Sequence, residues 1–408
     1  MQTVLLVSVP PAYSAGMSTY VTSRNAASRP HLLLLGAGHA HIEVLRDAAE
    51  SPFAADITMV SSAPVQRYSG MLAAVVRSAV PPDAASIDVA ALCRRAGATF
   101  IQRSALSIEA AAHGVRVELS ASGDRQDATV RSASVASVDI GGIGRSVELP
   151  GVREFATLLR PASHWETLMT RVAAWAARPS VTLCVVGGGA VGVEMALAVL
   201  ARCVEGGARV RMELVEAGDA PLSAHGGRAS RLAAAALARA GVRVHTSSEV
   251  MALTATHVLL SDGRTIAADG VLWATAAAAP PLLRLSALPV SADGFFRVAP
   301  TMQSVDGAPV FGAGDCVVHD GAPAYARSGA NAVRAGRTLA QNLRAWTAGN
   351  RDALQDFVPR VAPLALLDTA DGEALLTWRG HALQAGWAQA LKRRIDTRYM
   401  STLQHLAS

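Results

Sequence analysis

The chain has few cysteines, and they are isolated from one another. Cys93, Cys184, Cys203 and Cys316 form no CxxC or CxxxxC pair, and no cysteine stands at metal-site spacing from a histidine. A disulfide-rich scaffold, a thiolate metal centre and a redox-active cysteine pair are therefore excluded, and we expect no bound metal. The pattern suits a reducing compartment and predicts a cytoplasmic location.

Lysine is nearly absent, because Lys392 is the only one in 408 residues and arginine carries most of the net charge of +5. The arginines are scattered. They do not form basic stripes with interleaved aromatic residues, which make up only 4% of the chain. We therefore predict no nucleic-acid partner, in spite of the basic balance.

The chain also lacks an apolar run of the roughly 20 residues that a membrane-spanning helix needs. Its start, MQTVLLVSVPPAYSAG, has a short apolar core without a preceding lysine or arginine, so it makes a poor signal peptide. Met17 is an alternative start. We expect residues 1–30 to be a disordered extension, while the remainder is long enough for two or three domains.

A dinucleotide-binding fingerprint lies in the middle of the chain. Residues 181–203, VTLCVVGGGAVGVEMALAVLARC, have the pattern of a strand, a glycine-rich turn and a helix, and the next predicted strand ends at Glu216. Such a turn lets a pyrophosphate approach the backbone, and the N-terminus of the helix stabilises its charge. A glycine-rich turn without a ligand is the alternative. The turn residues expected at the dinucleotide are Gly187, Gly189, Ala190, Val191 and Gly192.

An altered copy of this fingerprint lies near the start of the predicted fold. Residues 32–46, LLLLGAGHAHIEVLR, contain Gly36 and Gly38, but His41 stands where the third glycine belongs. Ser61 and Ser62 end the next predicted strand, where an acid should bind a ribose. By itself, this unit leaves open whether a nucleotide binds here.

Alternating segments follow both units. Residues 115–142 and 241–275 alternate apolar and polar positions like antiparallel strands, and Asp262-Gly263 is typical of a hairpin turn. Each unit is therefore predicted to run βαβ, then a β-meander, then a returning strand. The predicted fold class is α/β, with two interleaved Rossmann-like domains, β-meander insertions and a C-terminal α/β segment.

A third motif indicates the family that the chain resembles. Residues 308–316, APVFGAGDC, and the helical pattern at residues 325–346 resemble the closing FAD motif of the pyridine nucleotide-disulfide oxidoreductase superfamily. Together with GAGHAH and GGGAVGVE, which occur in the family's order, the resemblance covers residues 31–345. These motifs predict that the chain binds FAD and a pyridine nucleotide.

Within that superfamily the chain looks most like the type II NADH dehydrogenases, and like a branch associated with selenide,water dikinase. The segments GHAHIEVLR, RYSGML and VLWATAAAAPP and the tail from LLDTADG carry this likeness. In that branch GHAH is usual and a serine commonly ends the second strand. The altered first fingerprint is therefore interpreted as a family trait.

The resemblance implies a division of the chain into domains. The FAD-binding domain is expected to be discontinuous, at residues 31–150 and 285–345, with the NAD-binding domain at residues 151–284 between its parts. Residues 346–408 are expected to form a C-terminal segment that contains an amphipathic helix.

The resemblance also implies an FAD site. Asp315 is expected to accept a hydrogen bond from a ribityl hydroxyl, and the helix near Gly329 to point its N-terminus at the flavin. Residues 68–71 should border the flavin ring. The residues expected at FAD are Gly36, Ala37, Gly38, His39, Ala40, His41, Ser61, Ser62, Asp139, Gly141, Gly314, Asp315, Gly329 and Ala330.

Three further residues are expected to act on the nicotinamide cofactor. Glu216 can accept hydrogen bonds from both ribose hydroxyls and would repel a 2′-phosphate, which favours NADH over NADPH. Ala276 stands where relatives often have glycine, close to the expected dinucleotide. Glu194 resembles a glutamate that relatives place between nicotinamide and flavin, and we predict a catalytic role for it. A solvated or helix-capping acid is the alternative for Glu194.

The predicted function is therefore that of an FAD-dependent NADH dehydrogenase. Hydride is expected to pass from NADH to the flavin, and electrons then to a diffusible acceptor, for which the resemblance favours a quinone. The alternative is a low-turnover flavoprotein that acts as a redox sensor or as a partner protein in selenium metabolism.

The tail, residues 381–408, has the pattern of a basic amphipathic helix. Apolar residues recur every four positions, and basic residues crowd the same segment. This pattern favours a helix that lies on anionic lipid, at the inner face of the cytoplasmic membrane. A helix docked on the body or on a homodimer partner is the alternative. The apolar stripe is Leu383, Trp387, Leu391, Ile395, Tyr399 and Leu403, and the basic residues are Lys392, Arg393, Arg394 and Arg398.

Overall fold

The structure, a computed structural model, describes residues 29–111, 114–121, 128–322 and 325–407. The predicted extension at residues 1–30 therefore lies almost wholly outside the described residues. Two parallel sheets, their antiparallel insertions and a C-terminal sheet with a helix confirm the predicted fold class. Within the described ranges, no helix is long and apolar enough to cross a membrane.

The helices and strands fall into three consecutive stretches. The first contains β1 (His31–Leu35), α1 (His39–Glu50), β2 (Asp56–Ser61), β3 (Val65–Arg67), α2 (Leu72–Val76), β4 (Ser86–Asp88), α3 (Val89–Arg95), β5 (Thr99–Gln102), β6 (Ala105–Ala111), β7 (Gly114–Leu119), β8 (Thr129–Ala133), β9 (Val135–Val138) and β10 (Ile143–Gly144). The second contains α4 (Val152–Phe155), β11 (Ala156–Leu158), α5 (Trp165–Ala176), β12 (Ser180–Val186), α6 (Ala190–Glu205), β13 (Arg209–Val215), α7 (Gly227–Arg239), β14 (Arg243–His245), β15 (Val250–Leu253), β16 (His257–Leu260), β17 (Thr265–Ala267), β18 (Gly270–Trp273) and β19 (Ala277–Ala278). The third contains α8 (Pro281–Leu285), β20 (Phe296–Val298), β21 (Val310–Gly312), β22 (Val317–His319), α9 (Gly329–Thr347), β23 (Ala365–Asp368), β24 (Ala374–Trp378), β25 (His381–Ala385) and α10 (Gly386–Ala407).

The first parallel sheet has the strand order β21-β9-β1-β2-β5. The four leucines of β1, residues 32–35, are fully buried, as expected for a central parallel strand that is covered on both faces. Helices α1 and α9 pack against each other beside this sheet. Because β21 comes late in the sequence, the chain returns to its first sheet after building the second.

The second parallel sheet has the order β11-β18-β12-β13-β14. In its central strand β12, Leu183, Cys184 and Val185 are fully buried. Helices α5 and α6 pack against each other beside this sheet. Each of the two sheets therefore has a glycine-rich turn after its central strand.

Antiparallel strands extend and connect the two sheets. The three-stranded sheets β6-β7-β8 and β15-β16-β17 correspond to the two predicted meanders, but the first begins earlier than predicted, with β6, and the predicted range also includes the parallel strand β9. Strands β10 and β19 pair antiparallel between the two halves, and the Arg145 N–H donates to the Ala276 carbonyl at 2.8 Å. Ala276 thus lies on the connection between the halves of the molecule.

The C-terminal segment combines the antiparallel sheet β23-β24-β25 with α10. Helix α10 lies across β24 and also contacts α3 and β4 of the first half. The segment therefore packs on the first half through α10, and its sheet contacts α7 of the second half.

Helix α10 differs from its predicted form. Leu383 lies in β25, because the helix begins only at Gly386. Trp387 and Ile395 are 57% and 42% exposed, whereas Leu403 is buried. A four-residue repeat advances by about 40° per step on a helix with 3.6 residues per turn. The predicted stripe therefore rotates from the outward side of α10 to its inward side.

The inward side of α10 is polar at its centre. Lys392, which the sequence pattern placed among lipid-facing basic residues, is 9% exposed, and Asp396 is 8% exposed. Ala388, Met400 and Leu403 complete the buried side. The prediction for Lys392 is thus wrong, because this residue forms buried ion pairs and does not face solvent.

His41 explains why the first fingerprint lacks its third glycine. The ring is fully buried; its Nδ1–H donates to the Gly36 carbonyl at 2.6 Å, and Nε2 accepts from the Ser137 hydroxyl at 2.8 Å. Burial lowers the pKa of His41 to about 4, so the ring is neutral at pH 7. The ring joins the turn to β9 and, contrary to expectation, is not available to a ligand.

Replacing His41 with glycine completes the fingerprint and tests this structural role. We expect His41→Gly to lower the free energy of unfolding by about 3 kcal/mol or more, because two buried hydrogen bonds and a packed ring are lost. Chemical denaturation measures the change. His381→Gly, at an exposed histidine, is the control and should cost no more than about 1 kcal/mol. Unchanged stability of His41→Gly would contradict the role.

Candidate functional site

The carboxyl ends of the first sheet bring the predicted FAD residues together. The turn after β1, the end of β2, the residue after β9 and the motif after β21 lie at this one edge of the sheet, because the strands are parallel. Helix α1 also begins here, with its N-terminus at the turn. The positions that meet are Gly36, Ala37, Gly38, His39, Ser61, Ser62, Asp139, Gly141, Gly314 and Asp315.

Asp139 lies at the centre of this edge. Its Oδ2 accepts hydrogen bonds from the N–H groups of Ala40 at 2.9 Å and His41 at 3.3 Å. A Cβ on Gly38 or on Gly314 would lie 2.1 Å or 2.2 Å from its Oδ1. The Asp139 side chain therefore packs between the two FAD motifs, and both glycines are needed to make room for it.

The N-terminus of α1 is not free, because it binds the Asp139 carboxylate. Two of the first N–H groups of α1, those of Ala40 and His41, bind this carboxylate, although both residues were expected at FAD. Burial raises the pKa of Asp139 to about 7, and the charge of Asp315 acts in the same direction. The charge at this end of α1 is therefore expected to change near neutral pH.

Asp315 lies beside a residue that the sequence analysis missed. Arg160 Nη1 is 2.6 Å from Asp315 Oδ2. Arg160 follows β11 of the second sheet, so the ion pair joins the two halves of the molecule. No motif marks Arg160 in the sequence, because its role arises only from the packing of the two sheets.

Helix α9 presents an accessible N-terminus. The Ser328 hydroxyl accepts a hydrogen bond from the Asn331 N–H at 3.3 Å and so caps the helix. Gly329 and Ala330 are exposed in the first turn, and a Cβ on Gly329 would meet no atom within 4 Å. An open helix end and a carboxylate beside a glycine turn fit FAD, whose reduced ring is anionic and whose ribityl chain carries hydroxyls.

The turn after β12 fits a dinucleotide more simply. A Cβ on Gly192 would lie 1.8 Å from the Gly187 carbonyl oxygen, so α6 and β12 pack at closest approach. A Cβ on Gly189 would meet nothing within 4 Å, which leaves room for a pyrophosphate. Ala190 and Val191 begin α6, and Val191 is 39% exposed.

Glu216 directly follows β13, beside this turn. Its carboxylate accepts the N–H of Gly188 at 2.5 Å and that of Gly218 at 2.7 Å. The acid is therefore held at the place where an adenosine ribose is expected. Ala276 lies on the β18–β19 connection described above.

Glu194 and Lys392 belong to a buried polar cluster that the sequence analysis did not foresee. The Lys392 Nζ is 3.8 Å from Glu194 Oε1 and 3.1 Å from Asp396 Oδ2, and it donates to the Gly70 carbonyl. The Tyr68 hydroxyl donates to Asp396 Oδ1 at 3.0 Å. The signal available in the sequence was its only lysine, for which the helical pattern predicts a position among basic residues at a membrane surface.

Burial sets the charges of this cluster. It raises the pKa of Glu194 to about 7, an effect that the charge of Lys392 opposes. Burial lowers the pKa of Lys392, but Glu194 and Asp396 outweigh it, and the net shift is upward. The Glu194 side chain is 15% exposed and accepts the Asp368 N–H at 2.9 Å, which contradicts the alternative of a solvated acid.

Tyr68 connects this cluster to the first sheet. Its ring centroid lies 5.6 Å from that of His39 and 5.1 Å from that of Tyr399. Residues 68–71, which were expected to border the flavin, thus lie between the N-terminus of α1 and the inward side of α10.

The four cysteines take no part in the site as redox groups. All four are buried and free. Cys316 lies nearest the FAD motif, where its Sγ donates to the Ala313 carbonyl at 3.2 Å, and burial raises its pKa. Among the described residues, no group of three or more His, Cys, Asp or Glu side chains could hold a metal ion.

Comparison with known proteins gives relatives of limited identity. Demethylphylloquinone reductase NdbB from Synechocystis sp. (strain ATCC 27184 / PCC 6803 / Kazusa) is 29% identical over 183 residues, which are 44% of this chain and 45% of that protein. The match thus spans less than half of the relative's length. The activity of this relative can therefore be extended to this chain only as a proposal.

Solved structures show the same fold. Sulfide:quinone oxidoreductase from the hyperthermophilic bacterium Aquifex aeolicus has a TM-score of 0.77 at 16% identity and covers 92% of each chain. NDH2 from Plasmodium falciparum in complex with NADH has a TM-score of 0.77 at 11% identity and covers 91% of this chain and 96% of its own. At these identities the likeness shows the fold alone.

The family itself follows from a longer match. The model of the family described as pyridine nucleotide-disulphide oxidoreductase matches residues 30–339, from the start of β1 into α9. This range contains both glycine-rich turns and the closing GAGD motif. The prediction of an oxidoreductase that uses FAD and a pyridine nucleotide is thereby confirmed, and the chain belongs to the pyridine nucleotide-disulphide oxidoreductase family.

Proposed function

We propose that the protein is an FAD-dependent NADH dehydrogenase that passes electrons to a quinone. The observation that carries the proposal is the buried Glu194–Lys392 pair, which lies where the NAD half, the Tyr68 loop and α10 meet. The names of two relatives, a demethylphylloquinone reductase and a sulfide:quinone oxidoreductase, support a quinone as acceptor. With all four cysteines buried and free, no thiol pair is available to carry electrons.

The protein's own contribution is binding and orientation. Bound FAD would supply the redox chemistry, by accepting hydride from NADH and giving electrons to the acceptor. Glu216 would bind the adenosine ribose of NADH, Asp315 the ribityl chain of FAD, and the N-terminus of α9 the flavin edge. No covalent nucleophile is needed, because reaction follows from the orientation of the two cofactors.

Glu194 is proposed to supply a proton to the acceptor. A quinone needs protons as well as electrons to become a quinol. A carboxyl group whose pKa is about 7 can hold a proton and release it at neutral pH. Lys392 favours the ionised form after release, and Asp396 and Tyr68 hold Lys392 in place.

Helix α10 is proposed to attach the protein peripherally to the cytoplasmic face of a membrane. Its inward side docks on the body, as one of the two sequence-based alternatives predicted. Its outward side still carries exposed Trp387, Arg394, Ile395 and Arg398, a combination that suits an anionic interface. A homodimer through the same side is the alternative occupant.

The role of Lys392 can be tested by separating the two half-reactions. We expect Lys392→Gln to slow flavin reoxidation by quinone at least about tenfold, because the ionised form of Glu194 loses its partner. Reduction by NADH should change less than about threefold, since the NADH site remains. Rapid mixing measures both steps. Arg393→Gln, at an exposed neighbour, should alter neither, and equal slowing of both steps in Lys392→Gln would contradict the proposed role.

The preference for NADH depends on Glu216. We expect Glu216→Arg to narrow or reverse the preference of kcat/KM for NADH over NADPH, because a guanidinium can bind the 2′-phosphate that a carboxylate repels. Asp219→Arg changes the charge equally on the same loop and serves as the control. A native preference for NADPH, or an equal effect of the control, would place the ribose elsewhere.

The pH dependence of FAD binding tests the role of Asp139. Its raised pKa means that the side chain is neutral below about pH 7 and ionised above it. An ionised Asp139 repels the FAD pyrophosphate, so the dissociation constant of FAD should rise about tenfold between pH 6 and pH 8. Flavin fluorescence on reconstitution of the apoprotein measures it. Asp139→Asn should flatten the profile, and a flat wild-type profile would exclude this coupling.

A further inference from the structure

A groove outside the cofactor sites lies where α1, α9 and α10 meet. Its volume is about 460 Å³, within the range of small-molecule sites. Arg46 of α1, Arg337 of α9 and Arg398 of α10 line it, together with the apolar side chains of Val333 and Ile395. Three helices from distant parts of the chain therefore contribute one guanidinium each.

The charges of the groove do not balance. Glu43 is the carboxylate in its wall, is 2% exposed, and forms an ion pair with Arg46, whose Nη2 lies 2.7 Å from Glu43 Oε2. Within the described part of the chain, neither Arg337 nor Arg398 comes within ion-pair distance of a carboxylate, and both are exposed. Burial raises the pKa of Glu43, which weakens its share of the neutralisation. The groove therefore carries more guanidinium charge than its carboxylate neutralises, and a bound anion would offset the difference.

The chemistry of the walls points to an amphipathic anion. Guanidinium groups bind phosphate oxygens through paired hydrogen bonds. Ile395, 42% exposed, borders the groove, and Trp387, 57% exposed, lies two turns earlier on α10, about 80° further around the helix axis. Exposed apolar side chains therefore lie at the charged groove and beyond it. An inorganic anion would leave this apolar surface in water.

We propose that this groove binds the phosphodiester headgroup of an anionic glycerophospholipid, with the acyl chains leaving past Ile395 and Trp387. The proposal rests on the proposed membrane attachment and names its lipid class and its residues. The lipid would contact Tyr399, whose ring is 5.1 Å from that of Tyr68. Membrane binding would then fix α10 against the loop expected beside the flavin.

The test compares two charge-matched double variants of the full chain. Arg337→Gln/Arg398→Gln empties the groove of two guanidiniums, whereas Arg393→Gln/Arg394→Gln removes the same charge from the exposed side of α10. Binding to phosphatidylcholine vesicles with and without phosphatidylglycerol is measured by co-sedimentation. If only the overall positive charge of the surface attracts the membrane, both double variants should lose the same affinity for the anionic vesicles. If the groove binds the headgroup, the groove variant should lose at least about tenfold more affinity than the control.

Further arms separate the lipid from other outcomes. Inorganic phosphate should not displace the protein from vesicles, and displacement at millimolar phosphate would show a free-anion site and overturn the lipid assignment. Equal losses in the two double variants would also overturn it. Native protein that ignores anionic vesicles would refute both the groove and the membrane attachment. NADH-driven dye reduction, measured on the same samples, tests the proposed dehydrogenase independently and should be unchanged in both variants.

Discussion

The buried ammonium group of Lys392 is the constraint on which the arrangement of the site depends. It lies between Glu194 of α6 and Asp396 of α10, and it donates to Gly70 in the loop from the first half. Removing one partner from a buried ion pair typically costs about 3–5 kcal/mol, because the remaining charge is left unpaired. A shift of helix α10 would therefore leave a buried charge without its partner. The C-terminal segment is for this reason part of the site.

The two halves of the molecule solve the same packing problem in different ways. In the second half, Gly192 allows α6 to approach its strand, and the turn stays open towards a ligand. In the first half, His41 replaces that glycine and bonds the turn to β9, while Asp139 occupies the end of α1. Each half therefore holds its turn with a carboxylate, because Asp139 accepts the first N–H groups of α1, whereas Glu216 accepts the Gly188 N–H.

The fold was predictable because its signals are local. The strand, glycine turn and helix of each βαβ unit lie within one short segment, and the alternation of apolar and polar residues in the meanders is visible in the sequence. The contacts of Arg160 and Lys392 were not predictable, because each joins segments far apart in the chain. The prediction of one apolar face on α10 was wrong for a geometric reason, because residues that recur every four positions rotate gradually around a helix. The domain boundaries and the link to the selenide,water dikinase branch stay predictions.

The proposed reaction has two steps, in which NADH reduces a flavin held by this chain and a quinone reoxidises it. The decisive experiment is an anaerobic titration of the purified, flavin-loaded protein with NADH, with the visible absorbance of the flavin as the readout. NADH is expected to bleach the flavin stoichiometrically, and addition of a quinone is expected to restore the colour. A flavin that keeps its colour in excess NADH would exclude the dehydrogenase and favour a redox sensor or partner protein.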